Sequence, residues 1–204
     1  MAYHIYTTDG IILKKTAFGE ANMLLHILTR DLGLIMASAQ GIRLNTSKLG
    51  AHIQEYSYAS LSFVKGKNGW KMTNAIEKNN FFFDCPSYAR KTVAQVGSLL
   101  LKMITGESPH PEIFQTVLTG FEFLKNIADP PSRSFGKAKE NISNFEILLV
   151  LRILHQLGYV SLDSSNRVFL IGNTEWNDEL LKKVSESKII LVGLINKGLK
   201  ESQM

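Results

Sequence analysis

Cations and aromatic rings occur together between residues 41 and 71 in a way that suits a polyanionic strand. Arg43 and Lys48 lie in the segment Gly41 to Gly50, which contains no acid, and Lys65, Lys67 and Lys71 crowd the end of the region. Tyr56, Tyr58, Phe63 and Trp70 are interleaved with them. Lysine and arginine neutralise phosphates and release counterions, which makes affinity fall steeply with salt. Aromatic faces stack bases, at roughly 1–3 kcal/mol each. Residues 36–78 hold six Lys/Arg against two acids, so the counter-charge of this region is expected outside it, in a phosphate backbone. The candidate binding residues are Arg43, Lys48, Lys65, Lys67, Lys71, Tyr56 and Trp70. The competing reading makes Phe63 and Trp70 core residues and the lysines a solvated rim. No aromatic lies between Gly41 and Gly50, and short hydroxyls favour backbone contacts, so Arg43 and Lys48 are expected to meet phosphates rather than bases.

Other chemistries find little support. The chain of 204 residues has one cysteine, Cys85, and five histidines scattered singly, so no metal site is expected. No glycine-rich nucleotide loop and no Gly-x-Ser-x-Gly elbow is present. Asp31, Glu55 and Glu77 have no spacing that implies a carboxylate pair. No cofactor and no catalytic residue is expected, and the protein is read as a binding protein rather than an enzyme. No apolar run reaches about 18 residues, so no membrane span is expected. The N-terminus lacks a signal-peptide pattern, and a cytoplasmic location is expected. The net charge of +5 is uneven: residues 1–80 hold nine Lys/Arg against five acids, residues 81–204 fourteen against thirteen.

The elements that must position these residues divide near Asn79. Before it, apolar runs at Tyr6–Lys15, Asn22–Thr29, Leu34–Gln40, His52–Val64 and Trp70–Ile76 read as strands. Asp31 with Gly33, and Asn68-Gly69, mark hairpin turns. The second run, "NMLLHILT", is apolar enough to be buried on both faces. Five strands at hairpin spacing predict a small closed barrel. After Asn79 the period changes. Ala89, Val93, Val96, Leu100 and Met103 share one helical face, as do Ile113, Val117, Phe121 and Leu124. Asp129 to Asn141 reads as a loop, and Asn144 as the cap of a helix over Phe145–Leu157 that Gly158 ends. Asp178–Ser185 and Leu191–Ser202 read as further helices. The fold class is therefore α+β, with a barrel domain at 1–80 and a helical domain at 81–204.

The stretch Thr7 to Arg43, "TTDGIILKKTAFGEANMLLHILTRDLGLIMASAQGIR", resembles the N-terminal domain of the RecO family of recombination mediators. Asp9-Gly10, Phe18-Gly19-Glu20, Leu28-Thr29, Gly33, Ala39-x-Gly41-x-Arg43 and Leu49-Gly50 carry the resemblance. "LRILHQLGY", Leu151 to Tyr159, is similar to a helix of that family's second domain. The resemblance implies an OB-fold barrel followed by an α-helical domain. It implies binding of single- and double-stranded DNA, strand annealing and recombinase loading, with RecR and single-stranded DNA-binding protein as partners. Gln40 stands where many members carry a basic residue. Tyr159 is followed by a stretch without cysteine, so the four-cysteine zinc module of many members is not expected. Arg152, beside Leu151 and Leu154, is expected to receive an acidic, apolar-ended peptide such as the tail of single-stranded DNA-binding protein; the alternative is a structural Arg paired with an acid such as Glu146. The alternatives to the mediator reading are a barrel-plus-helices adaptor that binds RNA or protein, and an enzyme whose acids converge only in space.

Overall fold

The computed structural model describes residues 4–42, 50, 53–128, 135–172 and 174–202. Five strands open the chain: β1 (Ile5–Phe18), β2 (Asn22–Thr29), β3 (Gly33–Ala39), β4 (Ser57–Gly66) and β5 (Gly69–Asn80). They close into a barrel in the order β1-β2-β3-β5-β4. All pairings are antiparallel except β3 with β5, which is parallel and extends over two residue pairs, Ala37–Trp70 and Ser38–Lys71. This is the OB-fold arrangement.

Side-chain alternation explains the barrel. Leu61 and Phe63 are fully buried while Ser62 between them is half-buried, the period-two pattern of a strand with one face inward. Ile12, Leu25, Ile27, Ile35, Ala37, Ala59, Leu61, Phe63 and Met72 fill the interior. Three irregularities break the ladder. Leu13 is skipped between the pairs Ile12–Ile27 and Lys14–His26. Thr73 and Lys78 are skipped along β5. Such bulges bend the strand and re-aim a side chain: Lys78 Nζ reaches Asp9 Oδ1 at 2.7 Å and the Tyr58 hydroxyl at 3.2 Å. The β4–β5 hairpin turns at Lys67-Asn68, and Gly69 takes the left-handed conformation (φ +95°) that follows such a turn.

The helices are α1 (Phe81–Asp84), α2 (Ser87–Met103), α3 (Pro111–Ala128), α4 (Phe135–Gln156), α5 (Arg167–Leu170), α6 (Asp178–Glu186) and α7 (Lys188–Glu201). The chain forms two compact units. One comprises Met1–Asp84 and Val93–Pro111; the other comprises Cys85–Thr92 and Glu112–Met204. In the second unit α4 is central, packed by α5, α6 and α7. The apolar faces expected on α2 and α3 are the buried ones: Ala89, Val93, Val96, Leu100, Ile113, Val117, Phe121 and Leu124 are at most 2% exposed.

Helix α4 differs from expectation. It begins at Phe135, ten residues before the expected start at Phe145, so residues 135–141 are helix and not loop. Ala138, Ile142, Phe145 and Leu149 recur at helical spacing and are all buried, and that burial overrides the weak propensity of Gly136 and the Asn and Ser residues. Asn144 is no cap. It is buried within the helix, and its Nδ2 donates to the Leu181 carbonyl. Gly158 does end the helix, with the paired bonds of a Schellman motif: Tyr159 N–H to the Leu154 carbonyl and Gly158 N–H to that of His155.

Candidate nucleic-acid interface

The outer face of β2 and β3 is not covered by other elements of its unit as the apolar run of β2 led us to expect. Leu25 and Ile27 point into the barrel, whereas Leu24 and His26 are half-buried and point outward. On β3 the outward set is Leu34, Met36 and Ser38, with Met36 56% exposed. Together with Phe18, Asn22, Gln40, the Asn68–Trp70 turn and Thr105–Glu107, they line a groove of about 720 Å³. Phe18, at the end of β1, is 57% exposed. A second hollow of about 560 Å³ shares Ser38, Gln40, Asn68 and Gly69 with the groove and adds Lys67, Lys71 and Thr73. One half of this concavity is apolar, the other polar and cationic. It lies at the short β3–β5 joint, which Ser38 Oγ bridges by donating to the Trp70 carbonyl at 3.3 Å. The β2–β3 face flanked by the first and last hairpin loops is the surface on which this fold takes extended polymers.

The cations here differ in availability. Lys65 Nζ bonds Glu107 Oε2 at 2.6 Å and sits 4.9 Å above the Trp70 ring. The Lys65 hydrogen bond holds the Glu107 carboxyl below its usual range, with a smaller contribution from the nearby Trp70 indole. That indole N–H falls outside hydrogen-bond geometry. Lys67 and Lys71 are exposed. By contrast, Lys78 and Arg30 are both engaged with Asp9, at 2.7 and 3.8 Å. His26 is held below the usual imidazole value, first by burial and then by Lys14, so at neutral pH it presents an uncharged ring to the groove.

The sequence candidates separate into groups. Lys67, Lys71 and one edge of Trp70 line the concavity, and Lys65 reaches its rim through Glu107. Trp70 is 6% exposed and packs edge-on against Tyr6 at 5.1 Å and Phe63 at 6.3 Å. It is a core residue without a free face for a base. Tyr56 stands apart, in a smaller hollow with Lys15, Gln54, Glu55, Phe82 and Phe83. Its ring stacks on Phe82 at 5.7 Å, and burial pushes its phenol up. Arg43 and Lys48 lie outside the described residues. Gly41, which is described, has its N–H donating to Asn22 Oδ1 at 2.9 Å, on the rim of the groove. Sequence reasoning missed Phe18, Leu24, His26, Leu34, Met36 and Glu107. The alternation within β2 and β3 carried the signal for the strand residues; Glu107 joins them only through the fold.

The expected partner-binding trio lies in the second unit. Leu151, Arg152 and Leu154 are fully buried, so none of them offers a surface for a peptide. Arg152 Nε donates to the Phe169 carbonyl and Nη1 to the Glu175 carbonyl, each at 2.9 Å. Its role in the fold is the structural alternative, with these two main-chain carbonyls among its partners; Glu146 receives a hydrogen bond from Thr92. Burial pushes the Arg152 pKa down to about 10, still well above neutrality. Among the described residues no three His, Cys, Asp or Glu side chains converge as metal ligands. No described helix is long and apolar enough to cross a membrane.

Residues 1–78 match the family described as "Recombination protein O N terminal". The chain is 35% identical over 124 residues to a DNA repair protein RecO of Dehalococcoides mccartyi strain 195, covering 60% of this chain and 49% of the relative. The same protein in strain BAV1 is 33% identical over 128 residues, 62% and 51% of the two chains. That of Heliobacterium modesticaldum is 29% identical over 120 residues, 59% and 44%. The chain thus spans about half the length of the curated relatives it matches.

Proposed function

We propose that this chain, whose residues 1–78 match the RecO N-terminal family, is a DNA-binding recombination mediator that acts in repair without a catalytic step of its own. The observation that carries the reading is the concavity on β2–β3, apolar at Phe18, Leu24 and Met36 and cationic at Lys67 and Lys71. Bases suit the first half and phosphates the second. Lys65, Lys67 and Lys71 contact phosphates, and Arg43 and Lys48 of the acid-free segment Gly41 to Gly50 add to them. The proposed DNA-binding domain is residues 1–80, followed by helices over residues 81–204, of which Val93–Pro111 belongs to the compact unit of the barrel. The names of the relatives support the repair role. Annealing of single strands, contact with double-stranded DNA, and recombinase loading with RecR and single-stranded DNA-binding protein complete the proposal.

Fluorescence anisotropy of a labelled oligonucleotide across a salt series tests it. Binding that weakens steeply with salt is the expected result. No binding at low salt overturns it in favour of an adaptor for protein.

A further inference from the structure

Glu107 is the one carboxylate among the described residues that line the groove. It points at a cation of the β4–β5 hairpin, in a surface otherwise suited to a polyanion. Its position is fixed from behind. The segment carrying it passes so close to the β2–β3 turn that a Cβ on Gly33 would collide with the Ser108 carbonyl. Lys65 is fixed as well, since its ammonium rests over the Trp70 indole, whose ring is anchored in the barrel core. The bond between them is short, yet the Lys65 and Glu107 side chains are 50% and 48% exposed. An ion pair that open to water contributes little to stability and exchanges readily.

Resting on the DNA-binding reading, we propose that Glu107 is a built-in stand-in for phosphate: its carboxylate occupies Lys65 in the free protein and yields that cation to the strand on binding. Lys67 and Lys71, on the same hairpin, are engaged from first encounter. Lys65 joins only when a phosphate outcompetes a carboxylate already in place. The device lowers affinity for isolated phosphates and small anions, which cannot offset the lost pair. It spares a polyanion held by neighbouring contacts, for which the exchange is nearly even. The strand-binding strength of the groove is thereby regulated by a residue of the segment after α2, outside the barrel strands.

The test is anisotropy of a fluorescein-labelled oligo-dT on the full chain, over a salt series. Glu107→Gln should bind about three- to tenfold more tightly at low salt, with a slope steeper by about 0.7, the increment of one more phosphate contact on a single strand. In a Lys65→Met background the same substitution should bring no gain, because the two residues act as a coupled pair. Carboxyl carbon NMR of the unaltered protein gives an independent reading: oligo-dT should move the Glu107 signal toward that of a free carboxylate. An unchanged affinity in Glu107→Gln overturns the proposal. An equal gain with and without Lys65 also overturns it, since that is the general effect of removing a negative charge. If wild type binds and Glu107→Gln is inert, the groove reading stands and the stand-in falls; if no variant binds, both fall.

Discussion

The guanidinium of Arg152 lies 4.4 Å from the centre of the Trp176 ring, while its nitrogens hold the carbonyls of Phe169 and Glu175. One buried cation thus ties α4 to α5, at Phe169, and to the chain between α5 and α6, at Glu175. Arg152→Met should cost about 3 kcal/mol of stability in denaturant unfolding, because it strands two carbonyls and removes the stack. Arg152→Lys should recover little, since an ammonium cannot reproduce the planar fork. Burial lowers the folded pKa to about 10. The folded chain therefore holds fewer protons than the unfolded one only above that value, and stability gains from this group only there. Between pH 5 and 9 Arg152 should contribute no slope to unfolding.

Gly33→Ala should be among the most damaging single-methyl additions in the barrel unit. Gly33 has φ +77°, and the added carbon meets the Ser108 backbone. The left-handed conformation alone costs roughly 1–2 kcal/mol; with the clash, a loss of about 2–4 kcal/mol is expected in thermal or urea unfolding.

Thr8→Val should change how the protein responds to acid. The Thr8 hydroxyl donates to Asp31 Oδ2 at 2.6 Å, and this bond, followed by Arg30, holds the Asp31 carboxyl below its usual value. A lowered folded pKa gives stability that is present above the ordinary carboxylate range and is lost as pH falls through the folded value. The valine variant should titrate Asp31 at higher pH, by carboxyl NMR, and begin to lose stability at higher pH on acidification.

Much of this architecture was readable from residue order. Strand alternation at Leu61-Ser62-Phe63 and helical spacing at Ala89, Val93 and Val96 report local geometry, and burial follows from local geometry. The errors fall where a distant residue decides. Phe135 to Asn141 reads as loop on its own and becomes helix because Ala138 and Ile142 are buried. Trp70 carries the same label whether it stacks a base or fills a core; only Tyr6 and Phe63 decide. Arg152 stands out in sequence as a lone cation in an apolar helix, but two of its acceptors are main-chain carbonyls 17 and 23 residues away. The groove was half visible: β2 was legible as apolar on both faces, but not that no described element of its own unit covers its outer face.

On the DNA-binding reading, Lys67→Ala and Lys71→Ala should each reduce the salt slope by about 0.7 on single strands, alike for different sequences. Phe18→Ala should lower affinity by roughly 1–3 kcal/mol if its exposed ring stacks a base, with little change in folding. Trp70→Ala is the contrasting case: it should cost about 3–5 kcal/mol of stability as a core truncation. Anisotropy paired with urea unfolding separates the two.

The two residue pairs that join β3 to β5 set the order of events in folding and breathing. The β1–β2, β2–β3 and β4–β5 hairpins each close over a short turn, while the β3–β5 joint must bring Ala37 to Trp70 across a much longer stretch of chain that includes β4. Closing that longer span costs chain entropy for little hydrogen bonding in return, so the joint should form last and open first. Amide protons at Ser38 and Lys71 should accordingly exchange with solvent well before those of the β1–β2 ladder. On the DNA-binding reading, a strand lying in the groove would bridge both sides of the joint, and added oligonucleotide should slow that exchange: the ligand would act as the missing rungs of the ladder.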